Sequence, residues 1–172
     1  MLPDQKYNRH TKVIICIMTV GVCVGLLSSC RDTGTGVGYR TQPILEDHSN
    51  IADPGARWQA YNLTSYVIEQ QSSCFCPFGG DVCRVYVRNN KVVDVVKKSD
   101  GKSILEQTPQ RYKTLDELFT LASSINPDSV ASLVIQYDQR FGFPNLISVD
   151  YSVQIADDEF SYQSQSLERL LN

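Results

Sequence analysis

The sequence predicts an α+β domain: an antiparallel sheet of hairpins with two helices packed on one face, in the order helix, three strands, helix, two or three strands. Three observations predict it. Cys83–Arg88 and Val92–Lys97 alternate apolar with polar residues on either side of Asn89-Asn90-Lys91, the pattern of a hairpin half-buried on one face. Thr114-Leu115-Asp116-Glu117 is a capping box that opens a helix. Ser132–Asp138 and Leu146–Val153 flank Arg140-Phe141-Gly142-Phe143-Pro144, which gives a second hairpin.

The domain starts at Asp53-Pro54. Asp53 suits an N-cap and Pro54 the first helical position, so a short helix runs from 54 to about 62 with Trp58 and Tyr61 on one face. Ser65–Ser73 alternates, with Tyr66 and Ile68 on the same side, and the run from Pro77 to Asp81 turns the chain. In the next hairpin a three-residue loop with one left-handed Asn pairs Val87 with Val93 and Val85 with Val95, keeping all four valines on one face. Leu115, Leu118, Phe119, Ala122 and Ile125 form a helical core stripe that Asn126-Pro127 ends. Glu159–Gln163 is expected to add a strand, and Leu167–Leu171 a short terminal helix.

The N-terminus has a different character. Lys6, Arg9 and Lys12 precede an apolar run from Val13 to Leu27. That run is shorter than the roughly 20 residues a helix needs to span a bilayer, and it matches a secretory signal. Leu27-Ser28-Ser29-Cys30 resembles the bacterial lipobox. The resemblance implies cleavage after Ser29 and lipidation of Cys30, with several acyl chains giving stable anchoring. Arg31, not an acid, follows Cys30, which favours the outer membrane, facing the periplasm, in a diderm host. Residues 1–29 are thus expected as a lipoprotein signal peptide, 30–53 as the lipidated cysteine with a flexible tether, and 54–172 as one domain. Gly34-Thr35-Gly36-Val37-Gly38 lacks the flanking strand, helix and lysine of a nucleotide loop and belongs to the tether.

Composition excludes several classes of function. The chain of 172 residues has a formal net charge of −3, and the signal removes three cations and one acid. An acidic chain without a basic run argues against nucleic acid and against an electrostatic grip on anionic lipid. Of the two histidines, His10 leaves with the signal and His48 falls in the tether. A folded part without histidine excludes Ser-His-Asp and Cys-His hydrolases and HExxH zinc sites.

Cys74, Cys76 and Cys83 remain in an oxidising compartment. A Cys76–Cys83 bridge would staple the strands across the Pro-Gly-Gly turn, and Cys74–Cys83 fits nearly as well. Cys74–Cys76 would close a tight, more reducible ring. No metal site is expected, because zinc wants four ligands, and Asp157-Asp158-Glu159 lacks the spacing of a calcium loop and reads as a solvated acidic turn. Tyr137, Phe141, Phe143 and Pro144 cluster at the second hairpin. Such aromatics commonly form cross-strand pairs; as an exposed patch they would be the surface for a partner.

Arg57-Trp58, Ser65-Tyr66, Cys74-Phe75-Cys76-Pro77, Val85-Tyr86-Val87, the run Thr114 to Phe119, Tyr137-Asp138, Gly142-Phe143-Pro144 and Ala156-Asp157-Asp158-Glu159 follow one another over about 56–163. This order of motifs resembles the bacterial family known as domain of unknown function 6174, small exported proteins that are often lipoproteins. Asn89-Asn90 stands where the family usually has Asp-Gly, and asparagine suits the same turn. The resemblance implies a disulfide between Cys74 and Cys76, to which this chain adds Cys83. It brings no assigned activity. The expected function is a non-enzymatic binding or scaffold domain, anchored in the cell envelope by lipid, with no cofactor and with an envelope protein as partner. The alternative is a thiol-active envelope protein using Cys74 and Cys76.

Overall fold

A computed structural model describes residues 38–74, 79–108, 110–155 and 157–171. In chain order these form β1 (Thr41–Gln42), α1 (Pro54–Ala60), β2 (Tyr66–Ser73), β3 (Val82–Arg88), β4 (Lys91–Lys97), α2 (Leu115–Ser124), β5 (Ser132–Tyr137), β6 (Pro144–Asp150) and β7 (Phe160–Leu170). All seven strands belong to one antiparallel sheet of order β4-β3-β2-β7-β6-β5, with β1 against β7. The antiparallel sheet and the two helices agree with expectation. The balance is more strongly β than expected.

Period-2 alternation divides the sheet into two faces. Tyr66, Ile68, Cys83, Val85, Val87, Val95, Ile147, Val149 and Leu167 share the core with Trp58 of α1 and Leu115, Leu118 and Ala122 of α2. The opposite face carries Gln71, Gln136, Gln163, Gln165, Ser73, Ser148 and Ser161, all exposed or half-exposed. Val67, Tyr86 and Leu170 form a small apolar island, and Tyr39 stacks on Tyr86 with ring centroids 4.1 Å apart.

Both helix starts follow their sequence signals. Asp53 Oδ1 accepts from Ala56 N–H at 2.7 Å, and Pro54 occupies the first turn. Thr114 Oγ1 accepts from Glu117 N–H at 3.1 Å while Glu117 Oε2 accepts from Thr114 N–H at 2.7 Å, completing the box. Trp58 Nε1–H donates to Asp116 Oδ1 at 2.8 Å, linking the two helices.

Four local expectations are corrected. The β3–β4 turn has two residues, with Asn89 and Asn90 both left-handed at φ 50° and 58°, the conformation that matches strand twist. Val87 therefore faces Val92, and a bulge absorbs Val93 and restores Val85 opposite Val95. The expected terminal helix is instead the last part of β7. Left-handed Ser166 (φ 58°) and a register shift between Val67 and Glu69 insert one extra residue there. The buried residues then fall at Ser164, Leu167 and Leu170, a three-residue spacing that imitates a helix.

Residues 38–53, expected as part of a flexible tether, instead lie on the domain. β1 pairs with β7, Ile44 is buried in the core, Leu171 N–H donates to the Arg40 carbonyl at 2.8 Å, and Arg140 Nη2 donates to that of Ile44 at 2.6 Å. His48 comes with this segment, edge-on to Tyr61 at 4.6 Å, so the folded part does contain a histidine. Residues 1–37, with the signal peptide and Cys30, lie outside the described residues.

The aromatic patch is the fourth correction. Phe143 is 1% exposed and Pro144 is buried. Phe143 meets Trp58 edge-on at 6.4 Å and stacks with Phe141 at 6.1 Å; Phe141 packs on Tyr61, and Tyr137 stacks with Phe119 of α2. These rings seat the helices, and they do so because the hairpin folds under α1. Gly142 marks the closest approach: it is left-handed at φ 84°, and a Cβ there would collide with the Pro54 carbonyl. Phe143→Ala is expected to destabilise the protein by about 3–5 kcal/mol. Gly142→Ala should exceed the roughly 1 kcal/mol of a strained φ alone. Urea unfolding checks both; a Phe143→Ala midpoint equal to wild type would refute the core position.

Candidate functional site

Where β2 ends and β7 begins, the sheet edge opens into a hollow of about 330 Å³ lined by Ser73, Cys74, Ser148, Asp157, Glu159, Phe160 and Ser161. Its floor is a serine row across three strands: Ser73 faces Ser161, and Ser161 faces Ser148. The pairing of β2 with β7 thereby joins Cys74 to the acidic segment at 157–159, two motifs far apart in the chain. The β6–β7 loop forms the outer wall. Asp150 Oδ1 accepts from Ser152 N–H at 3.0 Å and the Ser152 carbonyl from Ile155 N–H at 3.1 Å. That loop holds Tyr151, Val153 and Ile155 in solvent at 48%, 84% and 60% exposure. Asp158 Oδ1 is buried without a hydrogen-bond partner.

A second hollow of about 290 Å³ lies on the polar face, lined by residues including Glu69, Gln71, Gln136, Asn145, Gln163 and Gln165. Glu69, 8% exposed, is held by Lys98 Nζ at 2.8 Å. Asn145 Oδ1 is buried and unpaired. Amides that both donate and accept dominate this wall, so it suits a polar ligand more than an apolar one.

The cysteines separate. Cys74 is disulfide-bonded, and Cys76 lies outside the described residues. Cys83 is free and fully buried, with Sγ 3.1 Å from Tyr112 Oη. Neither expected bridge to Cys83 forms, because the alternation that buries Val85 and Val87 also points Cys83 into the core. Burial pushes the Cys83 thiol up from its ordinary value, which keeps it protonated and a poor nucleophile. Among the described residues no group of three or more His, Cys, Asp or Glu is placed to hold a metal ion, and no helix is long and apolar enough to cross a membrane.

Sequence reasoning missed the exposed loop. Tyr151, Val153 and Ile155 alternate as a strand would, and the strand was expected to continue to Val153. β6 instead stops at Asp150, where the Asp-x-Ser turn takes the chain out of the sheet.

Fold and site together define a single-sheet domain with one packed face, one polar face and a hollow at one end. The sequence pattern of the Family of unknown function (DUF6174) matches residues 50–169, most of the chain, and the protein belongs to that family. No curated protein and no solved structure matches it.

Three buried acids of weak strength tie stability to pH. Burial first of all raises the pKa values of Cys83, Tyr66 and Tyr112 above their ordinary 9.0, 10.0 and 10.0. The folded state therefore keeps protons that the unfolded chain releases. Their stabilisation is complete below about pH 9 and declines as pH rises through 9 and then 10. Urea midpoints are expected to fall progressively above pH 9, with Cys83 resisting alkylation until the protein unfolds. Rapid alkylation of Cys83 in the native protein would contradict its placement.

Proposed function

We propose that this protein is a non-enzymatic binding domain of the bacterial cell envelope, anchored by lipid on Cys30. Its partner would be an envelope protein, received where the loop Tyr151–Ile155 meets the Cys74 hollow. The observation that carries this reading is the placement of exposed apolar surface. Six large apolar side chains are exposed among the described residues, and Tyr151, Val153 and Ile155 are three of them. Apolar groups gathered beside a concave polar rim are the usual make-up of a protein-docking surface. The hollow contributes hydroxyls and carboxylates for the polar margin, and a Cys74–Cys76 bond, as the family resemblance implies, would stiffen it.

The thiol-active alternative draws less support. Asp157 and Glu159 line the same hollow as Cys74, and nearby carboxylates disfavour a thiolate. The preferred site of anchoring is the outer membrane, facing the periplasm, because Arg31 follows Cys30. No cofactor and no nucleic acid enter this function.

A photo-crosslinking residue at Val153 of the full-length protein, in the bacterium that makes it, is expected to trap a protein adduct of discrete mass. The same residue at Val93, exposed on β4, should not. Tyr151→Ser with Ile155→Ser should abolish the adduct while leaving the urea midpoint unchanged. An empty lane at Val153 would overturn the docking site. Intact-mass analysis tests the anchor: the expected mature chain begins at Cys30 carrying diacylglycerol, and an unmodified Cys30 would overturn the envelope reading.

A further inference from the structure

The hollow on the polar face is built on a row of side chains that crosses five strands. Gln136 of β5 faces Leu146 of β6, which faces Gln163 of β7, which faces Gln71 of β2, which faces Val82 of β3. In the next row Gln165 faces Glu69. Residues two apart on a strand share a face, so both rows look out on the side away from the helices. They line the space of about 290 Å³ together.

The amides of these rows fall into two kinds. Gln71 Nε2–H donates to the Gly80 carbonyl at 2.7 Å, and Gln165 Nε2–H to Glu69 Oε2 at 3.5 Å. These bonds orient the two side chains and leave Oε1 of each as an acceptor with no donor among the described residues. Gln136 and Gln163 are exposed, and neither side-chain amide is bonded to another described residue. The charges of the wall are neutralised locally. Glu69 is held by Lys98 Nζ at 2.8 Å, and Asp138 Oδ1 accepts from Arg140 N–H at 2.9 Å and Phe141 N–H at 2.7 Å.

This lining selects among ligand classes. An anion would meet no lysine or arginine in the wall. Among the described residues no cluster of acids, cysteines and histidines is placed for a metal ion. A peptide would gain no main-chain bonds, because the backbone groups beneath a sheet face are already paired in the ladders, and it would find no aromatic anchor in the lining. Hydroxyl groups both donate and accept, which matches oriented acceptors set beside free amides. Leu146 sits between Gln136 and Gln163, an apolar floor between two polar margins. That is the complement of a ring with a C–H face and a rim of hydroxyls. The volume is near the roughly 300 Å³ lower bound of small-molecule sites, which suits a short ligand.

We propose that this hollow binds a short neutral saccharide. A pyranose ring rests its C–H face on Leu146. Its hydroxyls bond the amides of Gln136 and Gln163 and donate to Oε1 of Gln71 and Gln165. The site is separate from the loop Tyr151–Ile155 and does not depend on the docking reading above.

The test is NMR of the full-length protein with isotope-labelled glutamine side chains, in a detergent without a sugar headgroup. Cellobiose and N,N′-diacetylchitobiose are titrated into the millimolar range, with sodium sulfate and a blocked tetra-alanine peptide as the anionic and peptide probes. At least one disaccharide is expected to shift the Gln136 and Gln163 amide signals saturably, leaving those of Gln107 and Gln154, exposed elsewhere, in place. Gln136→Ala with Gln163→Ala should weaken binding at least about ten-fold, the loss of two hydrogen bonds. The urea midpoint should hold, because neither amide is bonded in the folded protein. The proposal is overturned if neither disaccharide gives a saturable shift, or if all four amides shift alike. It is equally overturned if sulfate or the peptide binds in place of the sugars, or if the double variant binds as tightly as wild type.

Discussion

The pairing of β2 with β7 is the constraint on which the rest of the structure depends. β2-β3-β4 and β5-β6-β7 are each runs of neighbouring hairpins, and each alone would leave its apolar face half covered. Their union along β2 and β7, whose facing residues are about a hundred positions apart, makes one core face wide enough for both helices. It also organises the connection into α2. Gln70 of β2, fully buried, exchanges hydrogen bonds with the Lys113 backbone at 3.0 and 3.2 Å. Tyr66 Oη accepts from Leu115 N–H at 2.7 Å, and Tyr162 of β7 donates to the Arg111 carbonyl at 2.9 Å. Side chains from both seam strands thus satisfy backbone groups that the loop would otherwise bury unpaired. Such a long-range seam must close before its contacts repay the loop entropy.

One-sided packing follows from the seam. With α1, α2 and the aromatic cluster all on one face, the other must be compatible with water, and glutamine and serine side chains make it so. The two outer strands are treated differently. The segment after β4 doubles back along its free edge, with Lys97 N–H donating to the Lys102 carbonyl and Ile104 N–H to that of Val95, both within 2.9 Å. β5 ends the sheet on the other side with no further strand among the described residues. Its six residues are short for an edge, and brevity is one way natural sheets limit edge-to-edge association.

Most of this fold is written locally. The capping box at Thr114, the Asp53-Pro54 start and the valine alternation of β3 each encode their element within a few residues, and each was legible. What escaped depended on partners remote in sequence. Ser166 is bulged because β7 must keep register with β2, and only the register explains why Leu167 and Leu170 sit at helical spacing in a strand. Phe143 could be read as exposed until α1 was seen to lie across Gly142. Cys83 invited a bridge on spacing alone; its strand parity aims it at Tyr112. Residues 38–53 looked like a linker because Tyr39 and Ile44 are isolated apolar residues with no period, and their partners Tyr86 and the core come much later in the chain. The hollow itself was written in two family motifs, but nothing in either motif says that the two meet.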